Sequence, residues 1–305
     1  MSAAEDFFVS PEFAAWLQMQ RARVEQALAG WVPATAPGAL GVAMRYAVLG
    51  GGKRLRALLA LAASEAVGGN AGAALRAACA LELIHAYSLV HDDMPCMDGD
   101  VLRRGQPTVH VKFGQAQALL AGDALQTLAF ELLTPDEEAG MDGAMQAQLV
   151  SLLARAAGAL GMAGGQAVDL ASVGQQLSEP QLRAMHALKT GALLRAAPLM
   201  GAACAPQVPA QVLAALGAYG DAIGLAFQVI DDVLDVTGSD AALGKTAGKD
   251  AAAGKPTYVS LLGLEAARAL ATELHAKALV ALSSSGLTDT RLLAALAAVM
   301  VRRDH

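Results

Sequence analysis

Residues 212–236 read VLAALGAYGDAIGLAFQVIDDVLDV. Apolar side chains fall on nearly every face, strand-like alternation is missing, and Gly238 follows as a stop signal. The stretch is therefore expected to form a buried helix over about 212–236. Its last third carries Gln228, Asp231, Asp232 and Asp235. The spacing i, i+3, i+4, i+7 puts all four on one helical face, among Val229, Ile230, Val233 and Leu234. Like charges one turn apart repel, and a carboxylate taken out of water is costly unless something neutralises it. Most acidic runs are solvated helix faces. Three carboxylates on an otherwise apolar helix require cations.

The same combination occurs upstream. Residues from Ala74 to about Met94 form a second apolar helical stretch, stopped by Pro95, which disfavours helical geometry in the residue before it. At its end lies HDDMPCMDGD, with Asp92, Asp93, Asp98 and Asp100. Two clusters, each opening on an aspartate doublet, weaken the solvated-face explanation. Carboxylates without histidine or cysteine partners suit magnesium, which keeps several waters and binds through a few carboxylates plus substrate phosphates. Calcium in a helix-loop-helix site is the other metal considered, but its alternating ligands and closing glutamate are missing.

Around these helices the chain is uniform. It has 305 residues, 55% of them hydrophobic and 16% charged, which supports a large core and argues against disorder. Alanine, the best helix former, dominates. Helical patterns are punctuated by short segments such as WVPATAPG and VGGNAG, with no repeat, linker or composition shift. The expectation is an all-α fold, a helical bundle forming one domain over residues 1–305. A net charge of −6 argues against nucleic acid as a partner. Cys79, Cys96 and Cys204 have no metal or disulfide spacing. The acidic opening MSAAEDFFVSPEF does not resemble a signal peptide, and the uncharged stretch between Arg195 and Asp221 is broken by Pro198, Pro206 and Pro209. A cytoplasmic protein without integral membrane contact is expected.

Two dense basic spots complete the pattern. GGKRLR (51–56) places Lys53, Arg54 and Arg56 after a glycine pair, and LRRG (102–105) places Arg103 and Arg104 just beyond the first acidic cluster. Arginine's planar fork grips phosphate oxygens, and lysine supplies a compact charge. GKR is not followed by Ser or Thr, so this is no Walker loop. Either spot alone would read as solvated surface. Next to acidic clusters on apolar helices, a metal-bridged diphosphate accounts for both signs of charge.

In order along the chain stand GGKRLR, HAYSLVHDDMPCMD, LRRG, GQAVDL, LKTGALLRAA, FQVIDDVLD and GKPTY. With these seven motifs the chain resembles the trans-prenyltransferases, in particular bacterial farnesyl diphosphate synthases, from about Tyr46 to Tyr258. The resemblance implies the all-α isoprenoid synthase fold with a central cavity. It also implies condensation of isopentenyl diphosphate with dimethylallyl or geranyl diphosphate, three magnesium ions per site (manganese being the alternative), and a homodimer. It gives Asp92 and Asp98, with Asp93 in support, as metal ligands, and Asp231 as the main ligand of the second motif, with Asp232 and Asp235 near it. Gly52, Lys53, Arg56, His85 and Arg104 match the isopentenyl diphosphate pocket. Arg103, Lys189 and Lys245 match groups on the allylic diphosphate, and Thr190 and Gln228 those that face the developing cation. Arg302 and Arg303 resemble a basic closing tail. His85 also reads as a hydrogen-bonded helix histidine. The sequence departs from the family at Ala57, Gly99 and Pro256.

Product length is expected to depend on Tyr87 and Ser88, which precede Asp92 by one helical turn, about 6–7.5 Å, close to one isoprene unit. A bulky Tyr87 forms a floor and favours a fifteen-carbon product over the geranylgeranyl alternative; core packing is its other reading. A class I terpene cyclase would mix Asn, Ser and Glu in its second motif. A non-catalytic subunit would show degraded acidic motifs.

Overall fold

The computed structural model describes residues 7–136, 140–237 and 256–302. The chain forms helices α1 (Pro11–Trp31), α2 (Leu40–Leu49), α3 (Leu55–Val67) and α4 (Ala71–Asp92). A two-stranded hairpin, β1 (Leu102–Arg103) and β2 (Gln106–Pro107), leads into α5 (Val109–Phe113) and α6 (Gln115–Leu133). Then come α7 (Gly143–Ala157), α8 (Met162–Ala171), α9 (Glu179–His186), a π turn (Ala187–Gly191) and α10 (Ala192–Ala202). The long α11 (Ala210–Thr237), α12 (Tyr258–Leu262), α13 (Leu264–Ser283) and α14 (Arg291–Val301) finish the bundle. The hairpin is the one departure from helix among the described elements, too short to leave an alternating signature.

The two apolar stretches are helices with ends close to those expected. Helix α4 begins earlier than Ala74 because the Asn70 side chain accepts from the N–H groups of Gly72 and Ala73. Helices α4 and α11, like the span Gly143–Ala171, are long and apolar enough to cross a membrane by length and composition. In this fold α4 and α11 are mostly buried: α4 packs on α3 and α6, and α11 on α10 and α13.

The main core runs from α1 through α4 and α6 to α10 and α14, and α3 is buried from Ala57 through Ser64. A second cluster joins Leu182 and Met185 to Val229, Val233 and Tyr258. The aspartate-bearing end of α4 joins the main core through Val90 and Met94, and that of α11 joins the second cluster through Val229, Ile230 and Val233. The small residues let backbones approach closely: a Cβ on Gly165 of α8 would collide with the Lys189 backbone nitrogen, so only glycine admits the π turn there.

Candidate active site

The π turn positions the polar groups of the site. Widening a helix by one residue redirects side chains, and such turns recur at functional sites. Here Lys189 Nζ reaches Asp169 Oδ2 at 2.5 Å, on α8, while the Thr190 hydroxyl donates to Gln228 Oε1 at 3.0 Å, on α11. Gln228 Nε2 in turn donates to Asp232 Oδ1 at 2.9 Å, and the Tyr258 N–H donates to Asp232 Oδ2 at 2.8 Å. Buried Asp232 thus uses both oxygens to fix the amide orientation of Gln228 and the start of α12. Asp235 is buried beside it, whereas Asp231 and Gln228 stay partly accessible. The acidic face of α11 is therefore divided, with Asp232 turned inward.

The first doublet is divided in the same way. Asp92 lines a cavity, and the Asp98 N–H donates to the Asp92 carbonyl at 2.9 Å, folding the PCMD turn back on the helix end. Burial pushes the Asp92 carboxyl up to about 6; Lys189 opposes this, and Asp98 adds to it. Asp93 instead faces Arg103, whose Nε and Nη2 donate to it at 2.6–3.0 Å. With that fork on both oxygens, Asp93 holds an arginine.

The basic motif divides into three. Arg54 has φ 51 and turns into the core, where it meets Glu25 at 2.7 Å, Glu82 at 3.3 Å and the Val48 carbonyl at 2.6 Å. Glu82 also accepts from the Ala57 N–H, which secures the start of α3. Lys53 is exposed, and Arg56 lines the cavity with His85. Opposite, Arg104 donates to the Gly51 carbonyl, and a Cβ on Gly52 would meet its guanidinium at 2.9 Å. Burial, then Arg56, Arg104, Arg103 and Arg54, hold the His85 imidazole well below its ordinary range. A neutral imidazole ringed by guanidinium groups marks a recess suited to an anion.

The cavity has a volume of about 350 Å³. Helix α4 supplies His85, Tyr87, Ser88 and Asp92; α8 supplies Met162 and Gln166; and the π turn supplies Lys189 and Thr190. Tyr87 stands edge-on to His91 at 5.7 Å, and Ser88 donates to the His85 carbonyl at 2.8 Å. Arg302 lies elsewhere, its guanidinium 5.5 Å from the Phe8 ring, and does not line the cavity. Lys245 and Arg303 fall outside the described residues.

Sequence reasoning gave no role to Gln166, Asp169 or Glu82. Each had a visible signal. GQAVDL puts Gln166 and Asp169 one turn apart on an apolar helix, and Glu82 is the single acid in ALELIHAY. Among the described residues, no three His, Cys, Asp or Glu side chains are grouped to hold a metal unaided.

Comparison with known proteins brings this geometry to a family. A family model described as Polyprenyl synthetase matches residues 38–284. The chain belongs to the polyprenyl synthetase family. Among curated polyprenyl synthetases, a probable farnesyl diphosphate synthase of Bradyrhizobium diazoefficiens is 50% identical over 282 residues, covering 91% of this chain and 84% of that protein. A chloroplastic geranylgeranyl pyrophosphate synthase of Arabidopsis thaliana is 45% identical over 270 residues, 88% of this chain and 75% of that protein. The crystal structure of a Helicobacter pylori geranyltransferase complexed with magnesium and isoprenyl diphosphate superimposes with a TM-score of 0.83 at 33% identity, covering 96% and 97% of the two chains. All seven motifs lie within the part matched to the polyprenyl synthetase family.

Proposed function

We propose that the protein is a farnesyl diphosphate synthase that condenses isopentenyl diphosphate with dimethylallyl or geranyl diphosphate. The observation that carries this reading is that Asp92, Lys189 and Thr190 line one cavity together with Arg56 and His85. An acid for cations, dipoles for a carbocation and a basic recess for a second diphosphate thus meet in one space.

Magnesium fits the residues present. Asp92, Asp98 and Asp231 offer only oxygen, and Asp92, raised by burial and by Asp98, gains from a nearby cation. The lack of a self-sufficient ligand cluster among the described residues suits an ion that completes its sphere with water and phosphate oxygens. Asp92, Asp98 and Asp231, with Asp235, would hold up to three ions. When bound, magnesium draws charge from the allylic diphosphate and eases departure of pyrophosphate.

The chain's own groups do the rest. Lys189, steadied by Asp169, and Arg103, steadied by Asp93, add fixed positive charge near Asp92. The Thr190 hydroxyl donates its hydrogen bond to Gln228 Oε1, so its oxygen lone pairs are left as the outward dipole toward an allylic cation. Met97, Met162 and Leu170 give the cavity an apolar stretch of wall. The isopentenyl double bond attacks the cation to form the new C–C bond, and one proton must leave. His85 is a poor base because burial and its arginine neighbours hold its proton affinity down. The departing pyrophosphate takes that proton.

Tyr87 in the cavity wall favours the fifteen-carbon product over the geranylgeranyl one. A homodimer and a cytoplasmic location belong to the same proposal. The test is to incubate purified protein with geranyl diphosphate, labelled isopentenyl diphosphate and magnesium. Farnesyl diphosphate is expected. A twenty-carbon product would replace this reading with geranylgeranyl diphosphate synthesis, and the absence of any allylic product would point to a non-catalytic subunit.

A further inference from the structure

The hairpin that presents Arg103 and Arg104 has only two residues per strand, too few to keep its place unaided. Its register pairs Arg103 with Gln106 and Leu102 with Pro107. Arg104 and Gly105 form the loop with φ 53 and 72, the positive values of a primed turn. In such a hairpin the residues flanking the turn exchange both hydrogen bonds, and the next pair exchanges none. Leu102 and Pro107 are that next pair, so Pro107, which has no N–H, loses nothing there and its carbonyl points away from the ladder.

That carbonyl is where the hairpin is fastened. Tyr46 Oη donates to the Pro107 oxygen at 2.7 Å. Tyr46 sits on α2, four residues before the Gly50–Gly52 loop that leads to Lys53. Its ring stands edge-on to Phe113 at 5.4 Å, with Lys112 Nζ 3.8 Å above it, so these neighbours also hold the phenol ring. The other fastenings are at the base, where the Thr108 N–H meets the Val101 carbonyl at 3.0 Å and Thr108 Oγ1 the Asp100 carbonyl at 2.7 Å, and at Arg103 through Asp93. Arg104 is aimed at the Gly51 carbonyl and packs on Gly52. Tyr46 is thus the side chain that ties the element ending in the glycine loop to the strand following the turn.

We propose that Tyr46 is a positioning residue for the diphosphate of the homoallylic substrate, holding the hairpin so that Arg104 and the Gly51–Gly52 loop form one pocket. The proposal rests on the synthase reading above. Tyr46→Phe keeps the ring contacts and removes only the fastening. It should raise KM for isopentenyl diphosphate roughly three- to tenfold, the scale of one hydrogen bond, with kcat and the allylic KM within about twofold. The melting temperature should stay within about 2 °C of wild type. In an Arg104→Ala background the same change should have little further effect on that KM, because the two act on one pocket.

Wild type is assayed first. No product from it would defeat the synthase reading and this proposal together. An active wild type with an unaltered isopentenyl KM in Tyr46→Phe would defeat this proposal alone. So would equal losses for both substrates with a lowered melting temperature, or full additivity with Arg104→Ala.

Discussion

The Thr190 hydroxyl donates to Gln228 Oε1 at 3.0 Å, joining the π turn to α11. Because Asp232 holds the Gln228 amide from behind, the direction of that bond is set: Thr190 must donate. Its oxygen is then the negative end of a fixed dipole at the cavity wall. Thr190→Val keeps the shape and deletes the dipole. It should lower kcat by roughly 10- to 100-fold, below the loss seen for a full oxyanion-hole donor, with both KM values little changed. Steady-state kinetics decides; a change confined to KM would mean that Thr190 only binds substrate.

The two members of the first aspartate doublet should behave differently. Asp92→Asn removes a cavity carboxylate and should cut kcat at least about 100-fold without loss of stability, since a desolvated charge is removed. Asp93→Asn leaves the Arg103 fork half-satisfied. Arg103 is 34% exposed, so the stability cost should be moderate, about 1–3 kcal/mol, with a raised KM for the allylic diphosphate. Denaturation and kinetics on both variants check the division. Identical behaviour would contradict it.

Asp92 also makes the metal-free protein pH-sensitive. Its carboxyl is raised to about 6 from an ordinary 3.8, chiefly by burial. The folded state therefore holds this proton more tightly than the unfolded one, and stability from it, present below about 4, is lost as pH rises to about 6. Above that range a bound cation would offset the buried charge. Magnesium should raise the melting temperature more at pH 7 than at pH 5, where a proton competes for Asp92. Thermal melts across that range, with and without magnesium, measure the difference; a metal shift independent of pH would remove Asp92 from the ligand set.

The division of the doublets shows what could and could not be read from the chain. Both acidic helices, and the cation requirement of carboxylates on them, follow from local spacing and burial. Which aspartate of each pair is tied to a protein partner does not. Asp93 is decided by Arg103, ten residues on, across a hairpin too short to show alternation. Asp232 is decided by the Tyr258 N–H from an element twenty-six residues away. Arg54 turns inward because a left-handed backbone at that position points it at Glu25 and Glu82. The π turn adds one residue per turn over so short a span that helical periodicity barely registers it.

Tyr87 is the wall residue one turn from Asp92, and shortening it should lengthen the product. Tyr87→Ala is expected to yield twenty-carbon and longer chains from the same substrates. Because the ring also packs against His91, a stability loss of about 2–4 kcal/mol should accompany the change. Product analysis by chain length is the readout. An unaltered product spectrum would leave Tyr87 with packing alone.

The central claim is that the two acidic motifs act on one diphosphate in one cavity. It is tested most directly by a crystal structure with manganese and an unreactive thio analogue of the allylic diphosphate, the ions located by anomalous scattering. The account predicts ions within roughly 2.0–2.2 Å of oxygens from both Asp92 and Asp231, bridged by the same diphosphate. Ions bound at only one motif, or a diphosphate held away from both, would contradict it.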